Sequence, residues 1–255
     1  MSIKNSLRLP IKGTSLTANF LNNQSGSNSP LYYKSSEFEL SLASTDAGNS
    51  DSLYVGGGGI NGAFGKALSN QTTSLYKHRH LALVEKCGSK LTDFEKYSDD
   101  DPMMLSLIFN NRVKGDDSYE GIVFVDIFAD QYCPNGNEQN IAMLYVAPPY
   151  GPNYENEEDF IVAISETAKN ISNALISYNE MVKSHTDLSI IEAIRLCTYS
   201  SGIYNRSPKV GVDIISTSIF DSLVAVLKAT ESGLKEIQLP NGLGQFSAVL
   251  KQLQN

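Results

Sequence analysis

Residues Leu53 to Leu68 read LYVGGGGINGAFGKAL. The stretch opens apolar, crosses four consecutive glycines (Gly56, Gly57, Gly58 and Gly59) and continues as a small-residue amphipathic segment. Glycine loses more backbone freedom on folding than any other residue, so a fold accepts such a run where a turn needs positive φ or where something must approach bare backbone. From Asn61 the spacing predicts a helix to Leu68, with Asn61 as its N-cap. A glycine loop feeding a helix N-terminus offers unpaired N–H groups and the positive end of the helix dipole, and together these suit a phosphate. A glycine run also serves as a plain strand-to-helix turn, so this stretch alone leaves both readings open. No Gly-Lys-Ser/Thr follows, which excludes a Walker A loop. Gly57, Gly59 and Gly62 fit the spacing of a dinucleotide fingerprint, but its acidic ribose partner is missing at the usual distance.

The chain has 255 residues, of which 41% are hydrophobic. That is enough for one sizeable core and a single domain over 1–255. The net charge is -8. Phosphate backbones are gripped by clustered Lys and Arg, so an acidic chain argues against nucleic acid as the main partner. The short basic cluster Lys77–His80 (KHRH) reads as a solvated helix face, and His78, His80 and His185 read as surface or structural. The three cysteines (Cys87, Cys133 and Cys197) stand far apart without a CxxC, which points to reduced thiols instead of a disulfide framework or a zinc site. The N-terminus lacks the apolar core of a signal peptide, and no stretch reaches the length of a membrane span. The expectation is a soluble monomer with no metal and no cofactor, acting in the cytosol of its own cell or, if exported, of a host.

Along the chain, residues 1–22 alternate well enough for an edge strand or hairpin, and Asn22–Pro30 is a turn-rich loop. Phe38–Thr45 alternates strictly and reads as a strand, with Asp46–Ser52 as a polar loop after it. Further helix is expected from about Ser74 to Lys86, and Lys96–Pro102 is a charged break. Gly121–Phe128 and Ile141–Pro148 are apolar runs of buried-strand type. Asp159–Val182 carries apolar residues at helical spacing. Strand Ile190–Tyr199 runs into SSGIY, helix Val210–Thr230 follows, and Leu234–Pro240 is a last strand before a terminal helix. This alternation predicts an α/β fold, three layers α/β/α around a mixed central sheet. In such sheets ligands sit beyond the carboxyl ends of the strands, where the GGGG and SSGIY loops are both expected.

Two loops in this context resemble the macrodomain family. Its first binding loop is a strand, an Asn-Ala-Ala-Asn segment and a GGGGV-x-G-A run opening a helix. Here FELSLASTDAGN precedes GGGGINGAF, with Asp46 where an Asn is expected and a slightly longer spacer. The family's second loop, Ser-Thr-Gly followed by an apolar or aromatic pair, is matched by Ser200, Ser201, Gly202, Ile203 and Tyr204. IAMLYVAPPYG is similar to the family strand that ends in Gly-Pro. The resemblance covers roughly 37–255, leaving an N-terminal extension (about 1–36) and a divergent insertion (about 70–120).

The resemblance implies a pocket for ADP-ribose, free or on a modified protein. Gly56, Gly57, Gly58, Gly59, Ile60 and Asn61 would wrap the distal ribose and part of the diphosphate. Ser200 to Tyr204 would close from the other side, and Asn241 would flank the adenine. Asn49 would reach the distal ribose, with Asp46 or Asp51 near the anomeric carbon or its attacking water. Cleaving an ADP-ribosyl bond passes through an oxocarbenium-like state and needs a fixed diphosphate, a positioned water and a carboxylate. Asp46, Asn49 and Asp51 are therefore the candidate catalytic residues of a hydrolase, although an aspartate in such a loop equally serves as a turn former. Gln71-Thr72-Thr73 stands where the poly(ADP-ribose) glycohydrolase branch has adjacent glutamates, which argues against that mechanism. The alternatives are a non-catalytic ADP-ribose reader and a scaffold with a closed pocket.

Overall fold

Ile141–Val146 (β7) is apolar on both faces, as a strand covered above and below must be. It lies inside a nine-stranded mixed sheet of order β1-β2-β9-β8-β3-β7-β6-β5-β4. The other strands are β1 (Lys4–Arg8), β2 (Thr17–Leu21), β3 (Leu42–Ala47), β4 (Phe94–Lys96), β5 (Met103–Phe109), β6 (Val123–Phe128), β8 (Ala193–Arg195) and β9 (Glu236–Pro240). The computed structural model describes residues 4–9, 16–21, 42–48, 50, 53, 59–67, 80–85, 94–96, 103–128, 141–184 and 188–255. From β2 through β9, β8 and β3 to β7 the pairing is parallel. Beyond β7 the strands β6, β5 and β4 run antiparallel, and β1 pairs antiparallel with β2 at the other edge.

Helices cover both faces, giving the three-layer α/β/α fold. On one face α3 (Glu157–Val182) and α4 (Val212–Ala229) pack on each other, and α5 (Ser247–Gln254) packs on α4. Helix α3 begins where Asn156 accepts the Asp159 amide at 2.9 Å, with Glu157, Glu158 and Asp159 in its first turn suiting the positive helix end. Its stripe of Phe160, Ile164, Ile171 and Leu175 joins Val125, Leu144, Ile194 and Ile237 of the sheet in one apolar core. The opposite face carries a smaller cluster. There Phe64 of α1 (Gly59–Ala67) and Leu83 of the short helix α2 (80–85) meet Phe124, Met143 and Tyr145.

Several boundaries move relative to expectation. Strand β3 extends to Ala47, so Asp46 is a strand residue and not part of the loop after it. Helix α1 starts at Gly59, which puts Asn61 inside the first turn instead of at the N-cap. Strand β5 (MMLSLIF) falls in the region taken as an insertion; its apolar run after the charged break was the missed signal. The basic cluster KHRH does not form a solvated face at its last residue. His80 is fully buried and stacks on Phe124 at 3.7 Å between ring centroids.

One side chain ties the layers together. Asn170, buried in the middle of α3, donates to the carbonyls of Asn111 (2.7 Å) and Gly121 (2.8 Å) and accepts from Asn111 Nδ2. Asn170→Leu should therefore lower stability by about 1–3 kcal/mol, since it removes the partner of the buried Gly121 carbonyl and breaks the bonds to Asn111. Urea unfolding midpoints at constant m-value check this.

Candidate functional site

Parallel pairing sends the carboxyl ends of β3, β7, β8 and β9 to one edge of the sheet. The loops that leave these strands are joined by hydrogen bonds. Ser200 Oγ donates to the Pro149 carbonyl at 2.7 Å, and the Gly151 amide donates to the Tyr204 carbonyl at 2.8 Å. A Cβ on Gly151 would stand 2.8 Å from that same carbonyl, so only glycine lets the two loops come this close. The rings of Tyr150 and Tyr204 meet edge to face at 5.2 Å. Farther along, Asn205 bonds both backbone groups of Val210 and closes the 202–210 segment on itself.

Within this wall Ser200 has a left-handed φ of 58° and is buried. Such a conformation is unusual for a residue other than glycine or Asn. Ser201 Oγ turns back to Thr198. Ile203 is 65% exposed, Tyr204 is half-buried, and among the described residues nothing lies within 4 Å of the place where a Cβ on Gly202 would sit. The Ser200–Tyr204 turn thus presents bare backbone at Gly202.

On the other side, Gly59 opens α1 with φ 61° and likewise has open space at its Cβ position. Ile60 packs between the two apolar clusters, and Asn61 is buried. Asn241 follows β9 at the same sheet edge. Its Oδ1 accepts the Phe246 amide at 2.7 Å and its carbonyl accepts the Gly244 amide at 2.9 Å, so it braces the turn before α5. Asn49, Asp51, Gly56, Gly57 and Gly58 lie outside the described residues.

Asp46 does not occupy the position that the hydrolase reading requires. Its register partner is Tyr145, which places it on the α1 face of the sheet. The carboxyl is fully buried, and neither oxygen has a hydrogen-bond partner. Burial, and secondarily the charge of Asp126, hold its pKa well above the ordinary 3.8. A sealed carboxyl cannot orient a water on a ligand at the sheet edge. Two residues on, Gly48 presses against the Tyr145 ring, where any Cβ would overlap it. Sequence reasoning also missed the group behind Asp46. Asp126 accepts from Ser106 Oγ and lies 3.3 Å from His80 Nε2, all three being buried. The signal available was the lone Asp in the apolar run VFVDIF.

Cys197, the described cysteine, is also buried, which pushes its thiol up to about 12 and makes it inert. Among the described residues no group of His, Cys, Asp and Glu could hold a metal ion, and no helix is long and apolar enough to cross a membrane.

No protein-family profile matches the chain. It is similar to the DNA/RNA-binding protein ALBA4 of Plasmodium falciparum, 32% identical over 189 residues, covering 68% of this chain and 50% of that protein. The chain therefore spans about half the length of this curated relative. Among solved structures, the Oceanobacillus iheyensis macrodomain with ADP superimposes at a TM-score of 0.56 and 13% identity, over 99% of this chain and 97% of that one. The Trypanosoma brucei macrodomain in complex with ADP-ribose gives a TM-score of 0.50 and 13% identity, over 92% and 68%.

A raised carboxyl pKa costs stability as pH climbs. Below 3.8 the carboxyl is protonated whether the chain is folded or not. Above that value the unfolded chain ionises while the folded chain keeps its proton, so the folded state loses about 1.4 kcal/mol per pH unit until its own pKa is reached. Asp46→Asn should therefore gain on the wild type steadily from pH 4 upward, by comparison of urea midpoints at successive pH values.

Proposed function

The chain has the macrodomain fold, and on that premise we propose that it binds ADP-ribose, free or attached to a modified protein, as a non-catalytic reader. The observation that carries the reading is the exposed backbone at Gly202, on a loop pinned to the loop after β7 at the carboxyl edge of the parallel strands. Main-chain amides bind a diphosphate without a cation, which suits a chain of net charge -8. The two macrodomains with ADP and ADP-ribose support the choice of ligand.

Hydrolysis is the second reading. With Asp46 sealed in the sheet it falls to Asn49 and Asp51, which follow β3 in the sequence. Release of ADP-ribose from a modified protein that is abolished by Asp51→Asn would make the chain a hydrolase. Absence of release beside intact binding supports the reader. Nucleic-acid binding, suggested by the name of the Plasmodium relative, is a property of a protein about twice as long as the matching part. The acidic charge of this chain does not favour it.

Gly202 allows a clean test. A Cβ there meets nothing among the described residues, so Gly202→Val should fold with stability within about 0.5 kcal/mol of wild type. ADP-ribose at about a hundred times Kd should stabilise the wild type by about 2.7 kcal/mol, seen as a rise in Tm of several degrees. The valine variant should show no such rise. An unchanged wild-type Tm at millimolar ADP-ribose rejects the proposal.

A further inference from the structure

The two faces of the sheet differ in kind. Toward α3 and α4 the residues are apolar: Ala18, Ile237, Ile194, Ala43 and Ala142 are cross-strand neighbours. Toward α1 the adjacent row contains Asn19, Gln238 and Arg195 on one side of β3 and Asp126 and Ser106 beyond β7, all buried. Most of this polar row is bonded. Arg195 donates to Gln238 Oε1 through Nε and Nη2, Gln238 donates to Glu236, and Asp126 is held by Ser106 and His80. Two residues along β3 from this row, in register with Tyr145 on the same face, Asp46 is a buried carboxyl with two unpartnered oxygens, on the strand that α1 packs against.

Among the described residues, the polar and titratable groups on the packed elements are these. Tyr145 of β7 is its register partner. Asp126 of β6 opposes its ionisation. His80 of α2 is bonded to Asp126 and lies edge-on to Tyr145. Cys197, beyond β8, is near enough to feel its charge. The buried side chains described on α1 are Asn61 and Phe64, neither of which is charged. None of these supplies a cation to Asp46. A bare carboxylate cannot stay there unless the covering layer opens to water or the group keeps its proton.

We propose that the docking of α1 on β3 is proton-linked through Asp46: α1 sits closed on the sheet while the carboxyl is protonated, and loosens when it ionises. Because α1 begins at Gly59, this couples pH to the anion end of the site, a consequence that rests on the ADP-ribose reading; the docking itself does not. The sign follows from burial. Above the ordinary carboxyl range the open form ionises first, so closing takes up a proton and becomes up to about tenfold less favourable per pH unit. Ligand held by closed α1 would be released as pH rises.

Amide hydrogen exchange on the ligand-free protein tests this without any ligand. Protection factors for 63–67 in α1, corrected for intrinsic rates, should fall from pH 5 to pH 9 in the wild type while those in the middle of α3 stay level. In Asp46→Asn the α1 protection should be independent of pH, and Asp46→Ala gives the same reading if the amide variant does not fold. Wild-type α1 protection that runs level with α3, or a slope that persists in a variant lacking the carboxyl, overturns the proposal. The infrared band of a protonated carboxyl, lost over the same pH range as α1 protection, supports it and needs only the wild type. If α1 shows the slope but ADP-ribose never binds, the proton link stands and the ligand reading falls.

Discussion

Strand β3 is gripped on both sides by parallel neighbours, β7 and β8, and the site depends on that clasp. Parallel strands have to leave the sheet at the same edge, so their outgoing loops are neighbours whatever their sequences. The ladder between β3 and β8 is short, ending at the Ser44–Arg195 pair. Thr45 then substitutes for it. Its hydroxyl donates to the Arg195 carbonyl at 2.9 Å and accepts the Cys197 amide at 2.7 Å. One side chain thus satisfies two buried backbone groups where pairing stops and lets the chain turn toward Ser200 without leaving orphans. The β7 loop is tied in turn to the β8 loop through Ser200 and Gly151, so the wall of the cleft is an extension of the sheet.

The fold was largely legible because its signals are ones that sequence carries well. Long apolar stripes at helical spacing place α3 and α4 within two residues at each end. Continuous apolar runs mark β6 and β7 as buried strands. What failed is instructive. Asp46 reads as a loop acid because an isolated Asp after Ser and Thr is a turn signal, and nothing local says that Tyr145, ninety-nine residues later in the sequence, pairs with it. His80 sits in a basic tetrapeptide, yet stacking on Phe124 and the Asp126 carboxylate draw it inside. Both errors concern polar residues whose partners are distant in the chain, and hydrophobic periodicity carries no information on them.

Within the site, the second loop was the more legible. Ser200–Tyr204 needs only its own strand and a turn, and it follows β8 as the sequence order implies. Asn241 illustrates the opposite case. Its position after β9 was legible, but its Oδ1 is used by the Phe246 amide, a role set by the start of α5 and not by a ligand.

Local rules are broken along β3 and on the segments that follow β3 and β8. The non-glycine residues with left-handed φ among those described are Leu53 and Ser200, one between β3 and α1 and the other after β8. The fully unpartnered buried carboxyl belongs to β3 as well. Each such feature costs on the order of 1–3 kcal/mol and persists only where the surroundings over-determine it. Domains have only about 5–15 kcal/mol of net stability to lose, so costs of this size on the segments that follow β3 and β8 are a large fraction of it. Natural sequences accept local conflict at functional sites and stay consistent elsewhere. The apolar α3/α4 face, with every cross-strand neighbour matched, is the consistent part. The conflict lies on the segments leaving β3 and β8, the two strands whose outgoing loops carry the proposed ligand site.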